Sequence, residues 1–160
     1  MPLMRWMNNS SYAEQLRLHG SLVYTNVGDS MMPLLRQNRD LLIVKKRPEG
    51  RCKKYDVVLY QRPTGEYVLH RILKVCKDSY VICGDNRWRR EFGVPDEWIL
   101  GVLTAVVRDG KQVDVTDAAY RRYVRLWCDF FWIRAGILWI RDFPIRLRRK
   151  LRKHEAKKQR

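Results

Sequence analysis

Apolar residues fall in short runs over most of the chain, and the runs are bounded by glycine, proline, aspartate or asparagine. Runs of this length, rich in Val, Ile, Leu and Tyr, are typical of β-strands. Seven strands are predicted, over residues 21–27, 40–46, 56–61, 66–75, 80–83, 99–108 and 111–115, with a loop over residues 84–96. The pattern therefore predicts a mainly β domain with coiled sheets.

The two ends of the chain follow a helical pattern instead. Residues 10–19 predict a short helix that ends at Gly20. Asp117 is a candidate cap for a C-terminal amphipathic helix. One face of that helix is apolar, with Tyr120, Tyr123, Val124, Trp127, Phe131 and Leu138, and the opposite face carries Arg121, Arg122, Arg125 and Asp129. We therefore divide the chain into an N-terminal helical segment (1–20), a β domain (21–116) and a basic amphipathic helix with its tail (117–160).

Positive charge is concentrated in the C-terminal segment. The chain of 160 residues has a formal net charge of +16, and residues 120–160 hold 14 Lys and Arg against 3 Asp and Glu. Such a polycation attracts phosphate, either on nucleic acid or on an anionic bilayer. Tryptophans on an apolar face fit a membrane interface better than bases, which makes nucleic acid the less favoured partner. We expect the membrane to contact Trp127, Phe131, Trp132, Trp139 and Arg141.

Hydropathy and cysteine spacing set further expectations. Residues 126–140 are too short and too charged for a membrane span, and residues 1–30 lack the apolar core of an export signal. We therefore expect a cytoplasmic protein, peripheral at the inner face of the cell membrane.

The four cysteines form no C-x-x-C pair and no zinc-finger spacing. They are predicted to be reduced and to act as small hydrophobic residues, with Cys76 and Cys83 facing each other across a hairpin as the alternative. Neither a metal nor a cofactor is expected.

Three distant segments offer the groups of a serine-protease site. Gly28-Asp29-Ser30 presents a hydroxyl in a tight turn, where the N–H groups of Asp29 and Ser30 could form an oxyanion hole. His70 lies within the apolar strand V-L-H-R-I and could act as the base. A carboxylate follows in the turn G-D-N-R over residues 84–87. A hydroxyl, an imidazole and a carboxylate are the groups that make a serine nucleophilic at neutral pH.

The order of these segments resembles a known family. G-D-S-M-x-P-x-L, then D-L-L-I-V, D-V-V-L-Y, V-L-H-R-I, G-D-N-R and W-I-L-G-V-L follow each other over about residues 20–110. This series is similar to the shared peptidase fold of type I signal peptidases and LexA-like autopeptidases. The resemblance implies a coiled β-sheet peptidase domain with Ser30 as nucleophile. Most of the family carries lysine at the base position, so His70 resembles the signal peptidases of the endoplasmic reticulum type.

The third catalytic group has two candidates. Asp85 is the first choice as the residue that orients His70, because the resemblance includes G-D-N. Glu91 is the alternative, since it falls near where the histidine-type enzymes have their acid. After G-D-N the chain reads R-W-R-R-E-F and departs from the family pattern.

The resemblance implies a serine endopeptidase that binds its peptide or precursor protein as an extended strand. Two other functions remain open. One is a LexA-like regulator that cleaves itself, although about 27 residues before the nucleophile turn are few for a DNA-binding domain. The other is a non-catalytic basic β module that binds nucleic acid or anionic lipid.

Overall fold

The computed structural model describes the backbone of residues 11–158 and the side chains of residues 11–144. Over this part of the chain, eight antiparallel strands form one sheet, accompanied by three α-helices. The strands are β1 (Ser21–Thr25), β2 (Leu41–Lys46), β3 (Val57–Gln61), β4 (Tyr67–Val75), β5 (Ser79–Cys83), β6 (Glu91–Pro95), β7 (Ile99–Arg108) and β8 (Lys111–Asp114). The prediction of a mainly β protein is confirmed.

The strand order β1-β2-β7-β3-β4-β5-β6 puts β3 and β4 near the middle of the sheet, and β8 pairs with β7. Residues alternate along β3, so Val57 and Leu59 join one apolar core while Val58 and Tyr60 join a second. Four of the five residues of β3 are buried, so this strand is covered on both faces. The neighbouring strand β4, which carries His70, therefore pairs with a buried strand.

All seven predicted strands are present, with ends that differ by one or two residues for most of them. The loop predicted over residues 84–96 is wrong in its second half, because β6 pairs there with β5 and a short 3-10 helix, Asp96–Trp98, follows. Gly93, Pro95 and the exposed Phe92 give this edge strand a weak sequence signal. This correction matters for the site, because Glu91 begins β6.

The first helix, α1 (Tyr12–His19), has the predicted end signals. The Ser11 hydroxyl caps it by accepting a hydrogen bond from Glu14 N at 3.2 Å, and Gly20 ends it with a φ of 69°. Leu16 anchors α1 in the first core. The predicted start at Ser10 lies outside the described residues.

The predicted C-terminal helix is in fact two helices, α2 (Ala118–Asp129) and α3 (Phe131–Lys158), which are separated at Phe130. Asp117 occupies the N-cap position, but its carboxylate accepts from Asp114 N and not from the helix. Tyr120, Val124 and Cys128 pack α2 onto the sheet domain. No helix among the described residues has the length and apolar content needed to cross a membrane.

Candidate active site

Ser30 lies in a turn that is held in place by hydrogen bonds and by a buried neighbouring residue. The turn is closed by a hydrogen bond from Met32 N to Asp29 O at 3.1 Å, and Asn26 Nδ2 donates to Gly28 O at 2.6 Å. The side chain of Met31 is fully buried in the first core. Because Ser30 directly precedes this anchor and remains only half-buried, the turn presents it at the protein surface.

The loop over residues 84–87 holds the Ser30 turn from the side. Asn86 N donates to Ser30 O at 2.7 Å, and Asn86 Nδ2 donates to Asp29 O at 3.1 Å. Arg87 pairs with the Asp29 carboxylate, and this hydrogen bond lowers the pKa of Asp29. The G-D-N-R segment therefore fixes the main chain of the candidate nucleophile.

Gly84 brings Ser30 and His70 together. A Cβ atom at Gly84 would lie 2.6 Å from Ser30 O and 3.1 Å from His70 Cδ2. The first distance is far below van der Waals contact, so only glycine fits between these groups. The Ser30 main chain and the His70 ring are therefore neighbours, although they are forty residues apart in sequence.

The other edge of the His70 ring faces a tyrosine and a carboxylate. Nδ1 is 3.4 Å from Tyr60 Oη and 4.0 Å from Glu91 Oε1. The Tyr60 hydroxyl donates to Glu91 at 2.9 Å, so its oxygen can accept a hydrogen bond from His70 Nδ1–H. This network assigns the Nδ1–H tautomer. It leaves the lone pair on Nε2, which is bonded to Cδ2, the ring atom that lies 3.1 Å from a Cβ built at Gly84.

Burial keeps the imidazole of His70 neutral. The His70 side chain is only 13% exposed, and desolvation lowers its pKa to about 4, although the charge of Glu91 opposes this shift. Arg62 and Arg87 add to the lowering of this pKa. At neutral pH the ring is therefore ready to accept a proton, and the nearby Glu91 carboxylate favours the imidazolium that would result.

Glu91 is held as an anion. Burial opposes its ionisation, but hydrogen bonds from Arg62 and Tyr60 outweigh burial and lower the pKa of Glu91. Arg62 also binds Glu66 at 2.6 Å, which fixes the guanidinium in place. Glu91, the alternative acid, is thus the carboxylate beside His70 Nδ1.

Asp85, the first choice for that role, has a different position. Arg71 donates to its carboxylate through Nε at 2.9 Å and through Nη2 at 2.6 Å, and both side chains are fully buried. Arg71 points away from the face of β4 that carries His70, because successive strand residues alternate. The prediction that Asp85 orients His70 is therefore corrected. Asp85 instead anchors the loop that holds Ser30.

The polar groups of the Ser30 turn are available to a ligand. Within residues 11–144, no hydrogen bond is formed by the Ser30 hydroxyl or by the N–H groups of Asp29 and Ser30. His70 and Ser30 are thus adjacent without a hydrogen bond between their side chains, as is common before substrate binds. Both predicted oxyanion donors have no competing acceptor in this part of the chain.

An open cavity of about 530 Å³ adjoins His70. Its lining is mainly cationic, with Arg62, His70, Arg87, Arg89, Arg90 and Glu91. Arg87 and Arg62 are paired with carboxylates, whereas Arg89 stacks over Trp88 and Arg90 over Phe131. A ligand bound next to His70 would therefore contact several guanidinium groups.

Two of the residues expected to contact a membrane are turned inward. Trp127 Nε1 donates to Asp85 O at 2.9 Å, and Phe131 is only 7% exposed. Arg141 Nη1 donates to Asn86 Oδ1 at 2.8 Å. Only Trp132 and Trp139, among the expected aromatic contacts, are exposed to solvent. The predicted apolar face of the helix therefore packs on the domain, against the very loop that holds Ser30.

Sequence reasoning missed Tyr60, Arg62 and the close approach at Gly84. Tyr60 and Arg62 had no motif, but Tyr60 lies on the same sheet face as His70, since Val58 pairs with His70 and Tyr60 is two residues further along β3. A correct strand register would have found Tyr60. Among the described residues, no group of His, Cys, Asp and Glu side chains is arranged to hold a metal ion.

Comparisons with known proteins add no assignment. No protein-family model, curated protein or solved structure matches this chain.

Proposed function

We propose that the protein is a serine endopeptidase in which Ser30 is the nucleophile, His70 the base and Glu91 the carboxylate that supports His70. The observation that carries this proposal is the close approach at Gly84, where the Ser30 main chain and the His70 ring meet. The proposal extends to the fold, which we take to be the coiled sheet of the signal-peptidase and LexA-like peptidases. The sequence motifs of that resemblance and the antiparallel eight-stranded sheet support this choice.

The proposed reaction is acyl transfer through Ser30. Ser30 Oγ attacks the carbonyl carbon of the scissile peptide bond while His70 Nε2 takes the hydroxyl proton. The N–H groups of Asp29 and Ser30 stabilise the negative oxygen of the tetrahedral intermediate. His70 then gives the proton to the leaving amine, and water hydrolyses the acyl-enzyme by the same steps in reverse order. Glu91 and Tyr60 stabilise the transient imidazolium from the Nδ1 side.

The cleft also defines the substrate class that we propose. Arginines line the cavity beside His70, so a peptide or precursor protein with acidic residues near the scissile bond fits its charge. The resemblance adds an extended substrate and small side chains at the cleavage position. Acid-containing and neutral peptides of equal length thus provide a direct comparison.

Cleavage of a defined peptide library, followed by mass spectrometry, tests this function. We expect Ser30→Ala and His70→Ala to abolish cleavage, and Ser21→Ala, a change of an exposed serine on β1, to leave it unchanged. Cleavage that persists in Ser30→Ala would overturn the proposal. A preference for neutral over acidic peptides would contradict only the assigned substrate class.

A further inference from the structure

The end of α2 and the first turns of α3 expose many large apolar side chains. Eight such residues, each between 46% and 76% exposed, are Leu126, Phe130, Trp132, Ile133, Ile137, Trp139, Ile140 and Phe143. We call them the outer apolar face. Single exposed apolar residues are common on proteins, but a contiguous group of this size marks an interaction surface.

The outer apolar face is separate from the face that packs on the domain. Phe131, Arg134 and Leu138 are buried, while Ile133, Ile137 and Ile140 are 63%, 63% and 67% exposed. Steps of three and four residues keep each set in its own line along the helix. The domain therefore cannot cover the outer apolar face without releasing the inner one.

Cationic residues accompany this apolar surface. Arg121, Arg122 and Arg125 are exposed on α2, and the sequence of α3 continues with R-L-R-R-K-L-R-K over residues 146–153. A second copy of the chain would bring two such cationic surfaces together. A nucleic acid would satisfy the charge but offers no apolar surface to the isoleucines. An anionic bilayer interface satisfies both requirements.

We propose that the outer apolar face inserts into the interface of an anionic bilayer, with α3 lying along the membrane surface. This face differs from the one expected from sequence, because Trp127 and Phe131 point inward. Trp132 would reach the boundary between headgroups and acyl chains, where indole is favoured. Arg121, Arg122 and Arg125, which are exposed on α2, would lie among the lipid phosphates.

Membrane binding by this face would place the candidate active site close to the lipid. On the inner side of α3, Arg134 Nη2 donates to Arg87 O at 3.3 Å, and Arg141 Nη1 donates to Asn86 Oδ1 at 2.8 Å. Only the width of one helix, about 10 Å, therefore separates the bilayer from the loop that holds Ser30. This consequence rests on the proposed function, and it points to substrates held at the membrane surface.

Flotation of the full chain with lipid vesicles tests the proposal without any peptidase assay. The probes are vesicles of pure phosphatidylcholine and vesicles in which one third of the lipid is phosphatidylglycerol. The variant Ile133→Ser/Ile137→Ser/Ile140→Ser removes the centre of the outer apolar face. The matched control, Leu18→Ser/Val23→Ser/Phe92→Ser, changes three equally exposed apolar residues on α1, β1 and β6.

We expect the wild type and the control to bind anionic vesicles at least about tenfold more strongly than neutral ones, and the α3 variant to lose about tenfold or more of this binding. Brominated lipid should quench the fluorescence of the protein less when Trp132 is changed to Phe, whereas Trp127→Phe should retain the quenching. Equal vesicle binding by the wild type and the α3 variant would overturn the proposal. A dimer in solution that only the α3 variant dissociates would instead assign the face to a second copy.

Failure of this test and failure of the proposed function are distinguishable. Loss of vesicle binding in the α3 variant, with unchanged cleavage of soluble peptides, supports the membrane surface independently of Ser30. Vesicle binding that survives in Ser30→Ala shows that the two properties are separate.

Discussion

His70 combines a buried ring with two supporting groups on one of its nitrogens. Desolvation favours the neutral ring, and Glu91 favours the charged one, with desolvation the larger effect on its pKa. A neutral imidazole with Nδ1–H directed to Tyr60 has its Nε2 lone pair available. At neutral pH the ring is therefore in the unprotonated form that a general base needs, and its lowered pKa makes it a weaker base than an ordinary histidine.

The activity of the free enzyme should depend on pH accordingly. Because the pKa of His70 is lowered to about 4, we expect the acidic limb of kcat/KM to lie well below the ordinary histidine value of about 6.5. Glu91→Gln removes a charge that raises this pKa, so the limb should move to still lower pH while kcat falls about tenfold or more. A limb near pH 6.5 in both proteins would contradict the assignment.

The same pKa shift predicts how stability depends on pH. The folded pKa of about 4 is below the unfolded value of about 6.5, so between these values the unfolded state binds more protons. The contribution of His70 is therefore complete above pH 6.5 and is lost as pH falls toward 4. Urea unfolding should show that His70→Gln loses about 2 kcal/mol less stability than the wild type between pH 7 and 4.5. Parallel pH profiles for the two proteins would argue against a buried, neutral His70.

Gly84 offers a test at the contact between the two catalytic candidates. A methyl group at this position would meet Ser30 O at 2.6 Å, so Gly84→Ala should displace the Ser30 turn from His70 and lower kcat about a hundredfold. Gly136→Ala is the matched control, since its Cβ meets nothing within 4 Å. Peptide cleavage and thermal unfolding should be measured together. Full activity of a folded Gly84→Ala protein would show that the close approach is unimportant.

At the scale of elements, strands with a strong apolar pattern were predicted well from the sequence. β7 has the predicted bounds, because its long apolar run ends at the Asp109-Gly110 turn. The sequence does not predict β6, because this edge strand has little alternation of apolar and polar residues. Its strand conformation is stabilised by hydrogen bonds to β5. The break at Phe130 also had no Pro or Gly to mark it. Tertiary contacts, not local propensity, decide both features.

In the candidate site, too, the residues within motifs are predictable from the sequence, and those placed by tertiary contacts are not. Ser30 and His70 were recognisable because each belongs to a motif of several residues. The choice between Asp85 and Glu91 required the alternation of β4, which sends Arg71 and its partner Asp85 to the opposite face from His70. Trp127 and Phe131 were assigned to lipid because an amphipathic pattern does not reveal which surface covers its apolar side.

The ion pair of Arg71 and Asp85 joins β4 to the loop that holds Ser30. Asp85→Ala leaves the Arg71 guanidinium buried and uncompensated, and we expect a loss of about 3 kcal/mol in the free energy of unfolding. Arg71→Met/Asp85→Leu should recover part of this loss, because it removes the Arg71 charge together with the carboxylate and leaves only the buried Arg134 without its partner. Chemical denaturation of the two variants checks this expectation. If Asp85→Ala instead lowers kcat as much as Glu91→Gln does, without loss of stability, Asp85 acts on His70 after all.

At the scale of the whole molecule, three features lie on the side of the protein that α2 and α3 cover. The α2 and α3 helices cover the loop at residues 84–87, expose apolar side chains outward and carry much of the net positive charge of +16. The open cavity lined with arginines lies beside the same loop. This arrangement fits an enzyme that meets acidic peptide substrates close to an anionic bilayer.

The most direct measurement of the central claim is covalent labelling with a fluorophosphonate, because it requires no knowledge of the substrate. Attack by Ser30 Oγ on phosphorus expels fluoride, and His70 takes the hydroxyl proton. Mass spectrometry of the digested protein should locate the phosphonyl group on Ser30 in the wild type and in Ser21→Ala, with labelling at least about a hundredfold slower in His70→Ala. An unlabelled Ser30 in the folded wild type, or a labelling rate that His70→Ala leaves unchanged, would contradict the account.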